Sequence, residues 1–299
     1  MKTKLKAHIF TLPRWFAAPF FGAALLIGVA LAGEFNSNAW IAMVGGLLIM
    51  AGGHSFNSYL DYAWTGLDKG ETDDRSAEKD YCGGQSIIAQ GIVTQREVLC
   101  NAIGWYVLAL IPIIYLAVNS SAAILPLALA GMAITFWYSK AKFNYTHELA
   151  LGIGVGPIAV LLGMFAVNPD ANWLEGLVAS APFAIILSFT GLAFDEWPDA
   201  EANLKKGVKS LAYKVWEMGH GLAGLQWYLT SWILFLFLYQ VLMITVGILN
   251  PMSAIAFLTF PFLMGTMVMM KADFRKFGGL FVISAAMYPM LLLLGQVIG

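Results

Sequence analysis

The sequence predicts an all-α fold, an integral membrane bundle of about nine transmembrane helices, and three observations carry that expectation. First, 59% of the 299 residues are hydrophobic and only 12% are charged, with a mean hydropathy of +0.72. A soluble domain carries about 25% charged residues, so the soluble classes are excluded. Second, nine stretches without Asp, Glu, Lys or Arg approach the ~20 residues that a helix needs to cross the hydrocarbon core. They fall at 15–33, 40–60, 98–118, 121–139, 149–167, 176–194, 227–249, 252–270 and 277–298. Third, nine spans with the N-terminus inside put all 17 Lys and Arg in the inner segments and none outside. The positive-inside rule then gives a cytoplasmic N-terminus and an outer C-terminus, in a cell or cytoplasmic membrane. A missed helix would scramble that alternation.

Taken in order, the first stretch follows a basic N-terminus but is long enough to span, so it reads as a permanent helix rather than a cleaved signal. Outer connections are short: "GEFNSNA", "NS", "NPDANW" and "NP". Trp15, Trp40, Trp137, Trp173 and Trp227 stand near span ends, where amphipathic rings anchor at the interface. Small-residue runs, "GG" at 45–46 and 52–53 and "GIGVGP" at 152–157, permit close helix packing or an opening for a long apolar tail. Two cysteines, Cys82 and Cys100, give neither a disulfide framework nor metal-ligand spacing. Two inner connections are long, at about 61–97 and 195–226. Elaborate loops confined to one side mark that side as the one that carries function.

Each long connection opens on an acidic cluster. In "NSYLDYAWTGLDKGETDD", Asn57 and Asp61 are one helical turn apart and share a face. Asp68 returns to nearly that face unless Gly66 breaks the helix. In "FDEWPDAEANLKKGVKSL", Asp195, Asp199 and Asn203 recur every four residues, with Pro198 as the potential break. Carboxylate and amide oxygens are hard ligands suited to Mg²⁺, which keeps several waters and prefers one or two carboxylates plus substrate phosphates. Two such faces at the inner ends of helices can hold Mg²⁺ ions bridged by a diphosphate. Lys140, Lys142, Lys205, Lys206 and Lys209 stand nearby to neutralise the remaining charge. Solvated loops and helix caps would also explain one cluster; two on the same side with matching intervals favour the metal site, because acidic groups near membrane depth are costly.

At these residues the chain resembles the UbiA superfamily of intramembrane prenyltransferases, which pairs an N-D-x-x-D-type motif after helix two with a D-x-x-x-D-type motif after helix six. "NSYLDYAWTGLD", "GGQSIIAQGIVTQREV", "DEWPDAEANLKKGVKSLA" and "YSKAKFNYTHELALGIGVGP" are most similar to the 1,4-dihydroxy-2-naphthoate polyprenyltransferases of menaquinone synthesis. The resemblance runs from helix one to helix nine and implies a single domain over 1–299, with a cavity under a cytoplasmic-side cap. It further implies Asn57, Asp61, Asp68, Asp195, Asp199 and Asn203 as metal ligands. Lys140, Lys142, Lys206 and Lys209 become diphosphate-binding residues, Lys140 and Lys142 competing for the position after helix four. Asp61, Asp199, Lys142 and Lys209 are the expected catalytic set. Ser58 and Asn203 stand where the family has Asp, and Val208 where it has Lys.

The implied activity is Mg²⁺-dependent transfer of a polyprenyl group from a prenyl diphosphate to an aromatic acceptor, 1,4-dihydroxy-2-naphthoate above others. Expected partners are those two substrates and the lipid bilayer, with no nucleic acid. Tyr59, Tyr62, Trp64, Phe136, Tyr138, Phe194 and Trp197 flank the motifs and are candidates to shield an allylic cation. His54 and Glu148 are candidates to orient the acceptor, while His8, His147 and His220 read as interfacial. Three other expectations compete: the same transfer to another acceptor (another quinone precursor, a tetrapyrrole or a glycerol lipid), an intramembrane terpene cyclase using the same metal site, and a lipid or cation transporter. A transporter would place its ionisable groups near mid-membrane, whereas here they stand at the inner ends.

Overall fold

The computed structural model describes residues 2–33, 35–67, 69, 86–198, 200–270 and 272–299. Among these, nine helices are long and apolar enough to cross a membrane. They are α1 (Lys4–Leu31), α2 (Ser37–Ala63), α3 (Gln95–Asn119), α4 (Ile124–Ala141), α5 (His147–Val167), α6 (Trp173–Glu196), α7 (Leu211–Thr245), α8 (Pro251–Met270) and α9 (Lys276–Ile298). No strand occurs among the described residues. Because the spans alternate, the connections after α2, α4, α6 and α8 share one end of the bundle.

Caps set the boundaries. Asn36 accepts from Asn38 N at 2.9 Å and starts α2. Thr94 and Glu97 form a reciprocal capping box at the start of α3, with Glu97 N donating to Thr94 Oγ1 at 3.2 Å and Thr94 N to Glu97 Oε2 at 2.7 Å. These bonds satisfy donors that a helix N-terminus otherwise leaves unpaired. The expectation of a long loop over 195–226 is corrected at α7, which begins at Leu211, where Ser210 Oγ accepts from Tyr213 N at 3.0 Å. Lys214, Glu217 and His220 interrupt the hydropathy there, so the first turns of α7 do not read as a span. The helix also bends where Gly219 and Gly221 take positive φ values of 87° and 50°. The first span likewise reaches further back than 15, to Lys4, with an irregular break before Trp15.

Two apolar cores meet along α1 and α5. One gathers Leu25, Val29, Ala39, Ile113, Ile124 and Leu162 from α1 to α5; the larger one joins α1 and α5 to α6, α7, α8 and α9. The seam is tight. A Cβ at Gly28 would lie 2.0 Å from the Val160 carbonyl oxygen, and one at Gly163 would lie 2.0 Å from that of Leu25. Glycine is therefore required on both sides of the α1–α5 crossing, the small-residue mode of membrane helix packing. Away from the seam, α3 presents Val107, Ile111, Ile114 and Val118 outward, Val118 at 78% exposure, as a lipid-facing surface requires.

Two widened, π-helical stretches interrupt neighbouring helices, Gly154–Ile158 in α5 and Ile185–Gly191 in α6. Pro157 has no N–H to donate, and a wider turn accommodates the missing bond. The stretch in α6 ends four residues before Asp195 and so governs the angle at which that carboxylate leaves the helix.

Candidate active site

An apolar cavity enters the bundle between α1, α2, α4, α5, α6 and α9. Its deeper wall carries Leu25, Met43, Gly46 and Leu162; its polar end carries Arg14, His54, Asn57, Tyr138 and Asp195. Asn57 belongs to the first acidic cluster and Asp195 to the second, so the two clusters share one mouth. Asp61, Asp195, Glu196 and Lys142 all stand near enough to the Tyr138 phenol to act on it electrostatically.

The first cluster is built on the last turns of α2. Asn57 and Asp61 share a face as their spacing expects, and Asn57 Nδ2 donates to Asp61 Oδ2 at 2.9 Å. From α4, Ser139 Oγ donates to Asn57 Oδ1 at 3.1 Å. Lys142, at the C-terminal cap of α4, places Nζ 2.5 Å from Asp61 Oδ2. Asp61 is 1% exposed, and its other oxygen, Oδ1, is buried without a hydrogen-bond partner among the described residues. A buried, unsatisfied carboxylate oxygen costs free energy unless a ligand completes it. With Asn57 beside it and Asp195 on the same cavity, the donors are hard oxygens, and the set fits Mg²⁺. Gly66, at φ 72°, follows the end of the helix, and Asp68 lies outside the described residues.

The second cluster departs from one continuous helical face. α6 ends at Glu196, a turn follows, and a separate short helix, Ala200–Lys205, carries Asn203. Pro198 lies in that turn, where a residue lacking N–H interrupts the ladder. Asn203 therefore turns aside, and its Nδ2 donates to Tyr213 OH at 2.9 Å. Asp195 lines the cavity; Asp199 lies outside the described residues. Lys206 Nζ donates to the Leu67 carbonyl at 2.6 Å and so joins the loops after α2 and α6.

The remaining lysines separate by direction. Lys140 is exposed with Nζ 4.7 Å from the centre of the Trp64 ring, and Lys209 is exposed with Nζ 5.8 Å from that of Tyr145. Of Lys140 and Lys142, it is Lys142 that meets Asp61. The Lys209 backbone N–H still serves the site, donating to the Lys142 carbonyl at 2.6 Å.

Among the aromatic candidates, Tyr138 and Phe194 line the cavity. Trp64 and Phe136 are exposed, and Trp197 is buried against Phe274. Sequence reasoning missed Arg14, Phe16, Phe20, Phe21 and Phe281 on the cavity wall. Arg14 takes φ 51°, a conformation rare outside glycine, and its Nη2 donates to Ser58 Oγ at 3.4 Å. Ser58 thus faces Arg14, and a guanidinium without a carboxylate partner among the described residues stands at the mouth. His147 is not interfacial but buried at 1% exposure, with Nε2 2.9 Å from Glu196 Oε1. Glu196 carries no periodic signal that separates it from its neighbours Asp195 and Asp199.

Fold and site together define a membrane-embedded helical bundle whose oxygen-rich mouth opens on an apolar interior. The chain belongs to the UbiA prenyltransferase family, whose model matches residues 16–276. It is 28% identical over 210 residues, 69% of its own length, to the 1,4-dihydroxy-2-naphthoate octaprenyltransferase of Bacillus subtilis (strain 168), and the match spans 62% of that relative. Among solved structures it is similar to the apo form of a UbiA homologue from Aeropyrum pernix K1, with a TM-score of 0.66 at 16% identity over 97% of this chain and 98% of that one. A digeranylgeranylglyceryl phosphate synthase aligns over the whole of both chains, with a TM-score of 0.61 at 14% identity. A UbiA homologue from Archaeoglobus fulgidus bound to DMAPP and Mg²⁺ aligns over 95% of this chain and 98% of that one, with a TM-score of 0.53 at 14% identity. At these identities the structural likeness is one of fold.

Proposed function

We propose that this protein transfers a polyprenyl group from a Mg²⁺-bound prenyl diphosphate to an aromatic acceptor, 1,4-dihydroxy-2-naphthoate, as one working unit over residues 1–299. The observation that carries the reading is the buried Asp61 carboxylate, half-satisfied among the described residues and paired with Lys142 at the mouth of an apolar cavity that Asp195 also lines. The naphthoate relative and the homologue holding DMAPP and Mg²⁺ support it. One-sided basic residues support a cytoplasmic mouth and N-terminus.

Asn57, Asp61 and Asp195 would hold the ion, with Asp68 and Asp199 completing the set that the sequence motifs supply. The chemistry such an ion supplies is neutralisation of charge on the departing diphosphate. Lys142 adds a fixed cation beside Asp61, and Lys206 stands at the junction of the two loops to do the same. Tyr138, Phe194 and Phe281 line the space beyond and offer ring faces to an allylic cation, each worth about 0.5–2 kcal/mol when desolvated. The apolar wall excludes water, which would otherwise capture that cation. Arg14 faces the same end and supplies a cation for the acceptor's carboxylate.

The test is acceptor dependence. Purified protein in lipid nanodiscs receives Mg²⁺ and a prenyl diphosphate, with and without 1,4-dihydroxy-2-naphthoate. Diphosphate release that requires the acceptor, with a prenylated, decarboxylated naphthalenediol by mass spectrometry, is the expected result. Acceptor-independent release of a cyclic hydrocarbon would make the protein a terpene cyclase instead.

A further inference from the structure

Behind the mouth, three chain ends meet in a buried polar knot that the proposed chemistry does not use. His147 and Glu148 open α5, Glu196 closes α6, and Ser210 caps α7; their exposures are 1%, 2%, 8% and 0%. Glu196 uses both oxygens, Oε1 facing His147 Nε2 at 2.9 Å and Oε2 accepting from Ser210 Oγ at 2.8 Å. Glu148 Oε1 accepts from Leu211 N at 2.6 Å, while its Oε2 stands 3.5 Å from His147 Nδ1. Tyr213 OH reaches the Glu196 carbonyl at 3.3 Å and accepts from Asn203.

Ordinary helix anchoring would need fewer charges. A carboxylate at a helix N-terminus gains from the backbone dipole, and Glu148 serves α5 and α7 in that way. Glu196 lies instead at the C-terminus of α6, where the dipole opposes a negative charge, and it is buried as well. Two buried carboxylates facing one buried histidine are costly, so a compensating task is expected.

The connectivity indicates the task. The bond from Glu196 to Ser210 closes the segment 197–209 into a ring, and that ring carries Lys206 and Lys209. Lys206 reaches the Leu67 carbonyl, and the Lys209 N–H holds the Lys142 carbonyl. Lys142 in turn meets Asp61, while Asp195 immediately precedes Glu196 and lines the cavity. A continuous chain of contacts thus runs from His147 to the first acidic cluster.

We infer that Glu196, clamped by His147 and Ser210, is a positioning residue that sets the second acidic loop and Lys142 against Asn57 and Asp61, and so fixes affinity for the diphosphate. The inference rests on the proposed diphosphate site. Two measurements on the full chain test it: KM for the prenyl diphosphate at saturating acceptor, and the affinity of an unreactive prenyl thiolodiphosphate read by thermal stabilisation. Glu196→Ala is expected to weaken both by about tenfold, as for loss of hydrogen bonds to a charged group, with kcat at saturation within about threefold. Glu196→Gln restores most of that affinity, because its carbonyl accepts from His147 and its amide donates to Ser210. A role in folding alone would lower the active fraction and leave both affinities unchanged, and that result overturns the inference. Should Glu196→Ala not fold, Ser210→Ala removes one bond of the clamp, and unchanged affinity there overturns it equally. Wild-type protein that fails to bind the analogue would sink the diphosphate reading itself; wild-type binding with unaltered variants sinks only the clamp.

Discussion

At the scale of single residues, Asp61 and Lys142 make the sharpest claim. Asp61 is nearly inaccessible and Lys142 is 13% exposed, so truncating the lysine strands a carboxylate. Breaking a buried pair in this way costs about 3–5 kcal/mol, at the lower end here because the cavity lies close by. Lys142→Ala is therefore expected to lower the melting temperature and to reduce turnover at least about a hundredfold. Lys140→Ala should change both little, since a surface lysine over an indole is worth about 0.5–1 kcal/mol. Equal effects from the two variants, measured by calorimetry and diphosphate release, would refute this assignment. Sequence could not choose between these lysines because both sit within two residues of the end of α4, and the choice depends on where the helix stops. Asn57 and Asp61 were legible because i and i+4 on a helix share a face whatever else surrounds them. Arg14 was hidden, since its direction follows from a positive φ that the sequence does not announce at an arginine.

At the scale of elements, hydropathy located all nine spans but not every boundary. Charge-free stretches find the part of a helix inside the hydrocarbon; α7 continues some sixteen residues beyond it because Ser210 caps a charged, amphipathic beginning. In the second acidic cluster the regular four-residue spacing is interrupted at Pro198, the break that the sequence offered, and Asn203 meets Tyr213 instead. Glycine spacing was ambiguous in the sequence between packing and access; packing is seen at Gly156, where a Cβ would press on the Ser180 carbonyl at 3.1 Å, while Gly154 lines the cavity. The seam between α1 and α5 is the most demanding of these contacts. At Gly163 even one methyl group would meet the Leu25 backbone, which cannot turn away as a side chain can. Gly163→Ala is expected to destabilise by about 1–3 kcal/mol through overpacking, seen as a lower melting temperature in detergent. Gly265→Ala on α8, where a Cβ meets nothing within 4 Å, is the control and should leave that temperature unchanged.

At the scale of the whole molecule, the proposed chemistry at one end of the cavity ties its depth to the length of the apolar tail it is proposed to take. Six helices build its wall, drawn from both halves of the chain, so its depth depends on packing that no local pattern encodes. Gly46 lies on that wall eleven residues before Asn57 on the same helix, roughly 16 Å away along the axis. A side chain there would project toward Leu25, since even a Cβ would come within 2.9 Å of its Cδ1. Leucine yields by changing rotamer, and the new bulk then fills the deeper space rather than breaking the fold. Gly46→Leu is thus expected to discriminate by tail length. For short prenyl diphosphates, kcat/KM should stay within about threefold of the wild type. For long ones it should fall by about tenfold or more, because the last units lose their apolar burial at ~0.8 kcal/mol per CH₂. A ladder of donors, with products sized by mass spectrometry, gives the measurement. A uniform loss across the ladder would mean that the substitution disturbs the mouth, and an unchanged profile would mean that the tail leaves the protein before reaching Gly46.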